Sequence, residues 1–192
     1  MYDAIADPYC YPGSTVLKNI PGLTSQKALD RFAAVSTARR FLEPMPTGRW
    51  GVRHYQAIHR HVFQDVYSWA GRPRTVRISR GASMFCYPEH IGSELRRVFA
   101  GLKVAGFLKR LDHADFAAGA AHFLAELNAI HAFRDGNGRT QLAFTALLAD
   151  QAGHPLSLDR LDPEPFLHAM IASFKGDEQS LAGQIANLTE GT

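Results

Sequence analysis

A chain of 192 residues, 46% of them hydrophobic, is long enough to bury a substantial core, and residues 1–192 are expected to form one domain. The formal charge of +3 is too small for a duplex-binding protein, and no apolar run is long enough to cross a bilayer. Residues 1–8 lack the basic and apolar regions of a signal peptide, so the reading is a cytoplasmic protein with no direct nucleic-acid or membrane partner.

Residues 1–24 carry Pro8, Pro12, Gly13, Pro21 and Gly22 and read as an extended arm. From Ser25, a candidate cap, Ala28, Leu29, Phe32, Ala33, Val35, Ala38, Phe41 and Leu42 repeat at helical spacing, and Pro44 and Pro46 stop the helix. A second helix is expected over 52–66, with Tyr55, Ile58, His59, Val62 and Phe63 on one face. Between residues 74 and 87 the period shifts towards two around a turn at Gly81, which predicts a β-hairpin. Helical spacing returns over 88–104, 112–130, 137–152, 163–174 and 177–188. The fold class is therefore mainly α with one hairpin. Cys10 and Cys86 show no metal or redox spacing and are expected to be reduced thiols. His59 and His61 lie two apart on a helix and face different ways, which argues against a transition-metal site.

The most informative stretch is 131–142, His-Ala-Phe-Arg-Asp-Gly-Asn-Gly-Arg-Thr-Gln-Leu. Gly136-Asn137-Gly138 permits a turn that lets backbone approach a ligand, and a helix begins at about this point. Unpaired N–H groups there, the positive end of the helix dipole and the guanidinium of Arg139 together make a phosphate site. Asp135 beside bound polyphosphate makes sense if a divalent cation, Mg²⁺, bridges the two. His131 at the edge suits a general base, and Phe133 is expected to anchor the loop in the core. Asn137 has two roles open, a phosphate contact or support of the turn. Glu126 and Asn128, earlier on the same helix, either orient the site or serve as solvated or capping groups.

This segment resembles the signature of the Fic family, H-x-F-x-[DE]-G-N-G-R-x-x-R, with every specified position filled except the last. Residues 7–19 resemble the opening of compact bacterial Fic toxins, and Val66-Tyr67-Ser68-Trp69-Ala70-Gly71 resembles the family's segment before its flap. The resemblance implies the Fic fold, a bundle of about seven to eight helices with the 74–87 hairpin as a flap beside the 131–142 loop. It implies a protein adenylyltransferase that moves AMP from ATP to a target hydroxyl, with His131 as base and Asp135 holding Mg²⁺. Gly136, Asn137, Gly138 and Arg139 would then hold phosphate, with the backbone and side chain of Asn137 lining the anion hole. Arg77, Ile78 and Ser79 would dock a target segment by strand addition. Arg72, Arg74, Arg77 and Arg80 cluster on the hairpin and could complement an acidic partner or the nucleotide.

The departure is Leu142, where the family carries a second arginine for the distal phosphates. The bland reading of Leu142 is a core contact on an apolar helix face. A lost charge-assisted contact of about 1.5–3 kcal/mol would slow turnover roughly ten- to a hundred-and-fifty-fold. The resemblance to compact toxins implies a small antitoxin partner with an inhibitory helix, and type II topoisomerase ATPase subunits as targets. The family's inhibitory pattern, [ST]-x-x-x-E-[GN], has a near match at 186–191 that lacks the leading hydroxyl residue. Two alternatives remain: a degenerate non-catalytic binding protein, and transfer of another phosphate-containing group or of the γ-phosphate from a reversed nucleotide, the last of which the retention of Gly138 speaks against.

Overall fold

The computed structural model describes residues 7–80 and 83–189. Within them run seven α-helices: α1 (Gln26–Phe41), α2 (Val52–Phe63), α3 (Ile91–Val104), α4 (His113–Ile130), α5 (Asn137–Ala152), α6 (Pro163–Phe174) and α7 (Gln179–Thr189). Between α2 and α3 lie two short strands, β1 (Ser79–Arg80) and β2 (Ser83–Met84).

The centre of the bundle is α4. Asp112 caps it by accepting the Asp115 N–H at 2.9 Å, and alanines interleaved with Phe116, Phe123, Leu124 and Leu127 leave it apolar around most of its circumference. It can therefore be covered on several sides, and it packs against α3, α5, α6 and α7. Tyr55 of α2, Phe99 of α3, Phe133 of the loop after α4, and Phe144 of α5 meet in edge and tilted contacts. Each such side chain stabilises the fold by about 1.5–3 kcal/mol on burial, so the wall behind the 131–142 loop is rigid.

The structure amends several expectations. Ser25 sits at the start of α1 in extended backbone, but its side chain makes no capping bond. The apolar face of α1 is narrower than its spacing suggested: Leu29, Ala33 and Thr37 are buried, whereas Val35 is 73% exposed and Leu42 89%. Helix α2 ends at Phe63, three residues early, because the chain turns to bring Val66 and Tyr67 into the core. The 88–104 segment divides into a 3-10 turn, Pro88–His90, and α3. Asp177 precedes α7 and accepts the Gln179 N–H instead of joining the helix.

The hairpin is much shorter than 74–87. Among the described residues, β1 and β2 pair Ser79 with Met84 and Arg80 with Ser83, antiparallel. The predicted turn at residues 81–82 lies outside the described residues, as do Glu190 and Gly191 of the near match to the inhibitory pattern. Within the arm, Cys10 and Leu17 form an isolated antiparallel bridge, and both cysteines are free. No helix among the described residues is long and apolar enough to cross a membrane.

Candidate active site

The site begins where α4 stops. His131 caps the helix in left-handed backbone, φ 48° and ψ 60°, while its N–H still reaches the Leu127 carbonyl at 3.0 Å. An L-residue in this region costs about 1–2 kcal/mol, so the surroundings must hold it. Arg74 does so from one side, donating to the His131 carbonyl at 2.8 Å and the Ile130 carbonyl at 3.2 Å. From the other side the Phe85 ring stacks on the imidazole, 3.9 Å between centroids.

After the helix end the chain dives into the core and returns. Phe133 is fully buried and stacks on His59 at 3.8 Å. Asn137 closes the turn: its Oδ1 accepts the Phe133 N–H at 2.9 Å and its Nδ2 donates to the Phe133 carbonyl at 2.7 Å. Of its two open roles, the side chain thus performs support of the turn. Gly136 adopts φ 80°, and a Cβ there would fall 2.3 Å from Cζ of Phe63. The loop lies too close to α2 for any side chain. Gly138 differs, since a Cβ there would meet nothing within 4 Å. Its open side is the cavity, and the N–H groups of the first turn of α5 have no preceding carbonyl to reach.

Asp135 is held at two points. Its Oδ2 accepts the Tyr67 hydroxyl at 2.8 Å, and its main-chain carbonyl accepts from Nε2 of His59 at 3.0 Å. Nδ1 of His59 accepts the Gly71 N–H at 2.8 Å, which fixes the neutral tautomer with its proton on Nε2. Burial favours the same neutral form and pulls the His59 pKa down to about 4, against a smaller opposing effect of the Asp135 carbonyl bond. Burial, followed by the negative Asp135, pushes the Tyr67 hydroxyl far above its ordinary range, so it stays a proton donor.

Arg139 projects from the first turn of α5. Its guanidinium lies 4.5 Å over the Phe63 ring and donates to Thr37 Oγ1 at 3.3 Å, with Asp135 Oδ2 3.8 Å away. Thr37 is itself bound to the Ala33 carbonyl at 2.8 Å. Both charged side chains keep more than a third of their surface in solvent, so the pair leaves them accessible to a ligand.

His131, Arg134, Asp135, Gly136, Asn137, Gly138 and Arg139 line one cavity of about 450 Å³. Its other wall is apolar, built by Leu161, Pro163, Phe166, Leu167 and Met170 in and before α6. Leu142, on α5, lines the same cavity and is half-buried rather than sealed in the core. Asn128 lines the cavity too, with its Nδ2 bonded to the Met170 carbonyl at 3.0 Å, whereas Glu126 pairs with Arg97. A second cavity of about 380 Å³, against Leu29, Asp30 and Ala33 of α1, shares Arg134, Asp135 and Arg139.

Of the flap residues, Ile78 accepts the Phe85 N–H at 3.4 Å, Ser79 is exposed in β1, and Arg77 lies 4.2 Å over the Tyr87 ring. Arg74 is no part of an exposed basic cluster: it is 2% exposed and bound to main-chain carbonyls. No cluster of three or more histidine, cysteine or acidic side chains suited to a metal occurs among the described residues. His59, Tyr67, Thr37 and Phe63 hold the loop and carried no site role in the sequence reading. Their role depends on contacts 68 residues apart for Tyr67 and 76 for His59.

Residues 50–149 match the model of the Fic/DOC family. The chain is 47% identical over 188 residues to a protein of Sinorhizobium fredii named probable protein adenylyltransferase y4lH, covering 97% of this chain and 98% of that one. It is 34% identical over 195 residues to the protein adenylyltransferase VbhT of Bartonella schoenbuchensis, spanning 41% of that longer protein. Among solved structures, BepC of Bartonella tribocorum with bound AMPPNP superposes with a TM-score of 0.87 at 25% identity, covering 96% of this chain and 97% of that one. By sequence and by fold, the chain belongs to the Fic/DOC family.

Proposed function

We propose that this protein transfers AMP from ATP to a hydroxyl side chain of a target protein. The observation that carries the reading is a single cavity with the imidazole of His131, the carboxylate of Asp135 and the start of α5 on one wall, facing apolar surface from α6. An anion suits the first wall and a flat nucleobase the second. The names of the relatives and the nucleotide in the BepC structure support the same chemistry.

In this mechanism His131 takes the proton of the target hydroxyl as its oxygen attacks the α-phosphorus. The bond from that phosphorus to the bridging oxygen breaks, and its electron pair leaves with diphosphate. Charge gathering on the phosphate oxygens is stabilised by the N–H groups of the first turn of α5 and by Arg139. Asp135 suits a single Mg²⁺: one oxygen is fixed by Tyr67, and a lone carboxylate completed by phosphates and water matches that ion's habit. Bound there, the ion would neutralise phosphate charge. Residues 131–142 and the segment 77–79 leading into β1 then belong to one Fic domain spanning 1–192, with Arg77, Ile78 and Ser79 docking the target segment.

The finer parts of the reading are a cytoplasmic toxin, a small antitoxin partner and topoisomerase ATPase subunits as targets. They rest on the likeness of residues 7–19 to compact Fic toxins. With Leu142 on the cavity wall, an inhibitory glutamate lacks its usual arginine, so such a partner inhibits weakly or by steric docking alone. The test is label transfer to bacterial lysate proteins from ATP carrying either α- or γ-phosphate label, with His131→Ala as control. Label from the α position alone, lost in the variant, is expected. Label from the γ position means a kinase, and binding of ATP without any label means a degenerate binding protein.

A further inference from the structure

Arg74 does not line the nucleotide cavity, yet its guanidinium ends on four main-chain carbonyls. Nε donates to His131 at 2.8 Å, Nη1 to Val76 at 2.6 Å, and Nη2 to Cys86 at 2.6 Å and Ile130 at 3.2 Å. Val76 and Cys86 stand on the two rails that lead into β1 and out of β2, while Ile130 and His131 are the end of α4. One rigid planar group therefore sets the distance between both rails and the helix end, where the negative end of the dipole favours a cation. Main-chain bonds run alongside: Arg74 N–H to Ala132 at 2.9 Å and Cys86 N–H to Ala129 at 3.1 Å. The residue before Cys86 is Phe85, whose ring lies on the His131 imidazole at 17°. A shift of the second rail thus becomes a tilt of the imidazole.

We infer that Arg74 is a positioning residue that locks the flap rails to the end of α4 and so fixes the orientation of His131. This rests on the adenylyl-transfer reading of the cavity. Lysine keeps the charge but places its donors on one nitrogen, which cannot span from His131 to both rails. In lysate labelling with α-labelled ATP, Arg74→Lys is expected to lower the maximal rate about tenfold or more while the KM for ATP stays within about twofold. The ring nitrogen signals of His131 should shift in the same variant, whereas Arg96→Lys, exposed on α3, changes neither readout.

A folded Arg74→Lys protein with the wild-type rate, with a change in KM alone, or with a slower rate but unmoved His131 signals would overturn the inference. If the wild type binds ATP yet transfers no label, the adenylyl-transfer reading fails, and the His131 signals decide the role of Arg74 separately. If Arg74→Lys does not fold, hydrogen exchange in the wild type decides. The amides of Cys86 and His131 should exchange through one shared opening, and a Cys86 amide opening independently by more than about tenfold contradicts the lock.

Discussion

Replacing Gly136 by alanine puts a methyl carbon where the Phe63 ring already stands, 2.3 Å from Cζ and 2.4 Å from Cε2. Ordinary carbon contacts lie at about 3.5–4.0 Å, so the ring or the loop must move by more than an ångström. The backbone at φ 80° adds about 1–2 kcal/mol for an L side chain, and overpacking of this kind costs about 1–3 kcal/mol. Together the substitution should destabilise the protein by about 2–5 kcal/mol, which for a chain of this length lowers Tm by roughly 5–20 °C. Thermal and urea melts of the wild type, Gly136→Ala, Phe63→Leu and the double variant separate the two parts. Phe63→Leu removes the clashing ring atoms but leaves the backbone cost, so the double variant should recover about 1–3 kcal/mol relative to additivity. A Gly136→Ala protein within about 0.5 kcal/mol of wild type, or additive effects throughout, would refute the close-approach argument.

Gly138→Ala, whose methyl meets open space, should fold with unchanged or up to about 1 kcal/mol higher stability, yet bind ATP at least about tenfold more weakly by titration calorimetry. Undiminished binding would show that the open side is not where phosphate sits. Leu142→Arg adds a cation on the cavity wall and should raise the AMP-transfer rate roughly ten- to a hundred-and-fifty-fold, and an unchanged rate would count against Leu142 as the weak point. His59 titrates near 4 when folded and near 6.5 when unfolded, so the unfolded chain takes up the proton first as pH falls. Its contribution is fully present above pH 6.5 and declines towards pH 4, by about 3 kcal/mol in all. Melts from pH 7.5 to 4.5 should show this slope in the wild type and not in His59→Asn, and equal slopes would remove His59 as the cause.

Helices were legible in the sequence wherever the apolar spacing marked a face that is in fact covered. Tyr55, Ile58, His59, Val62 and Phe63 are all buried, and α5 and α6 have the predicted bounds. Helix α1 misled because its alanines and Val35 suit a helix whether or not anything covers them, and periodicity carries no information about the neighbour. The loop was legible because its chemistry is local: glycines, carboxylate and arginine stand within a few residues. Arg74 was not, since an arginine among arginines on a predicted hairpin looks solvated, and its partners Ile130 and His131 are supplied by a helix end 56 and 57 residues away. Asn137 was legible as one of two roles, and its two bonds to Phe133 are the turn support that one of them named.

The loop is fastened by the chain's own contacts: Asp135 through His59 and Tyr67, Asn137 twice to Phe133, and Arg139 to Thr37. Fixing the backbone of a residue costs about 1–2 kcal/mol of conformational entropy, so for the turn 133–137 a loss on the order of 5–10 kcal/mol falls on folding. Little of that loss is left for association. A nucleotide meets a rigid receptor, and its affinity reflects contact geometry with only a small subtraction for ordering the protein.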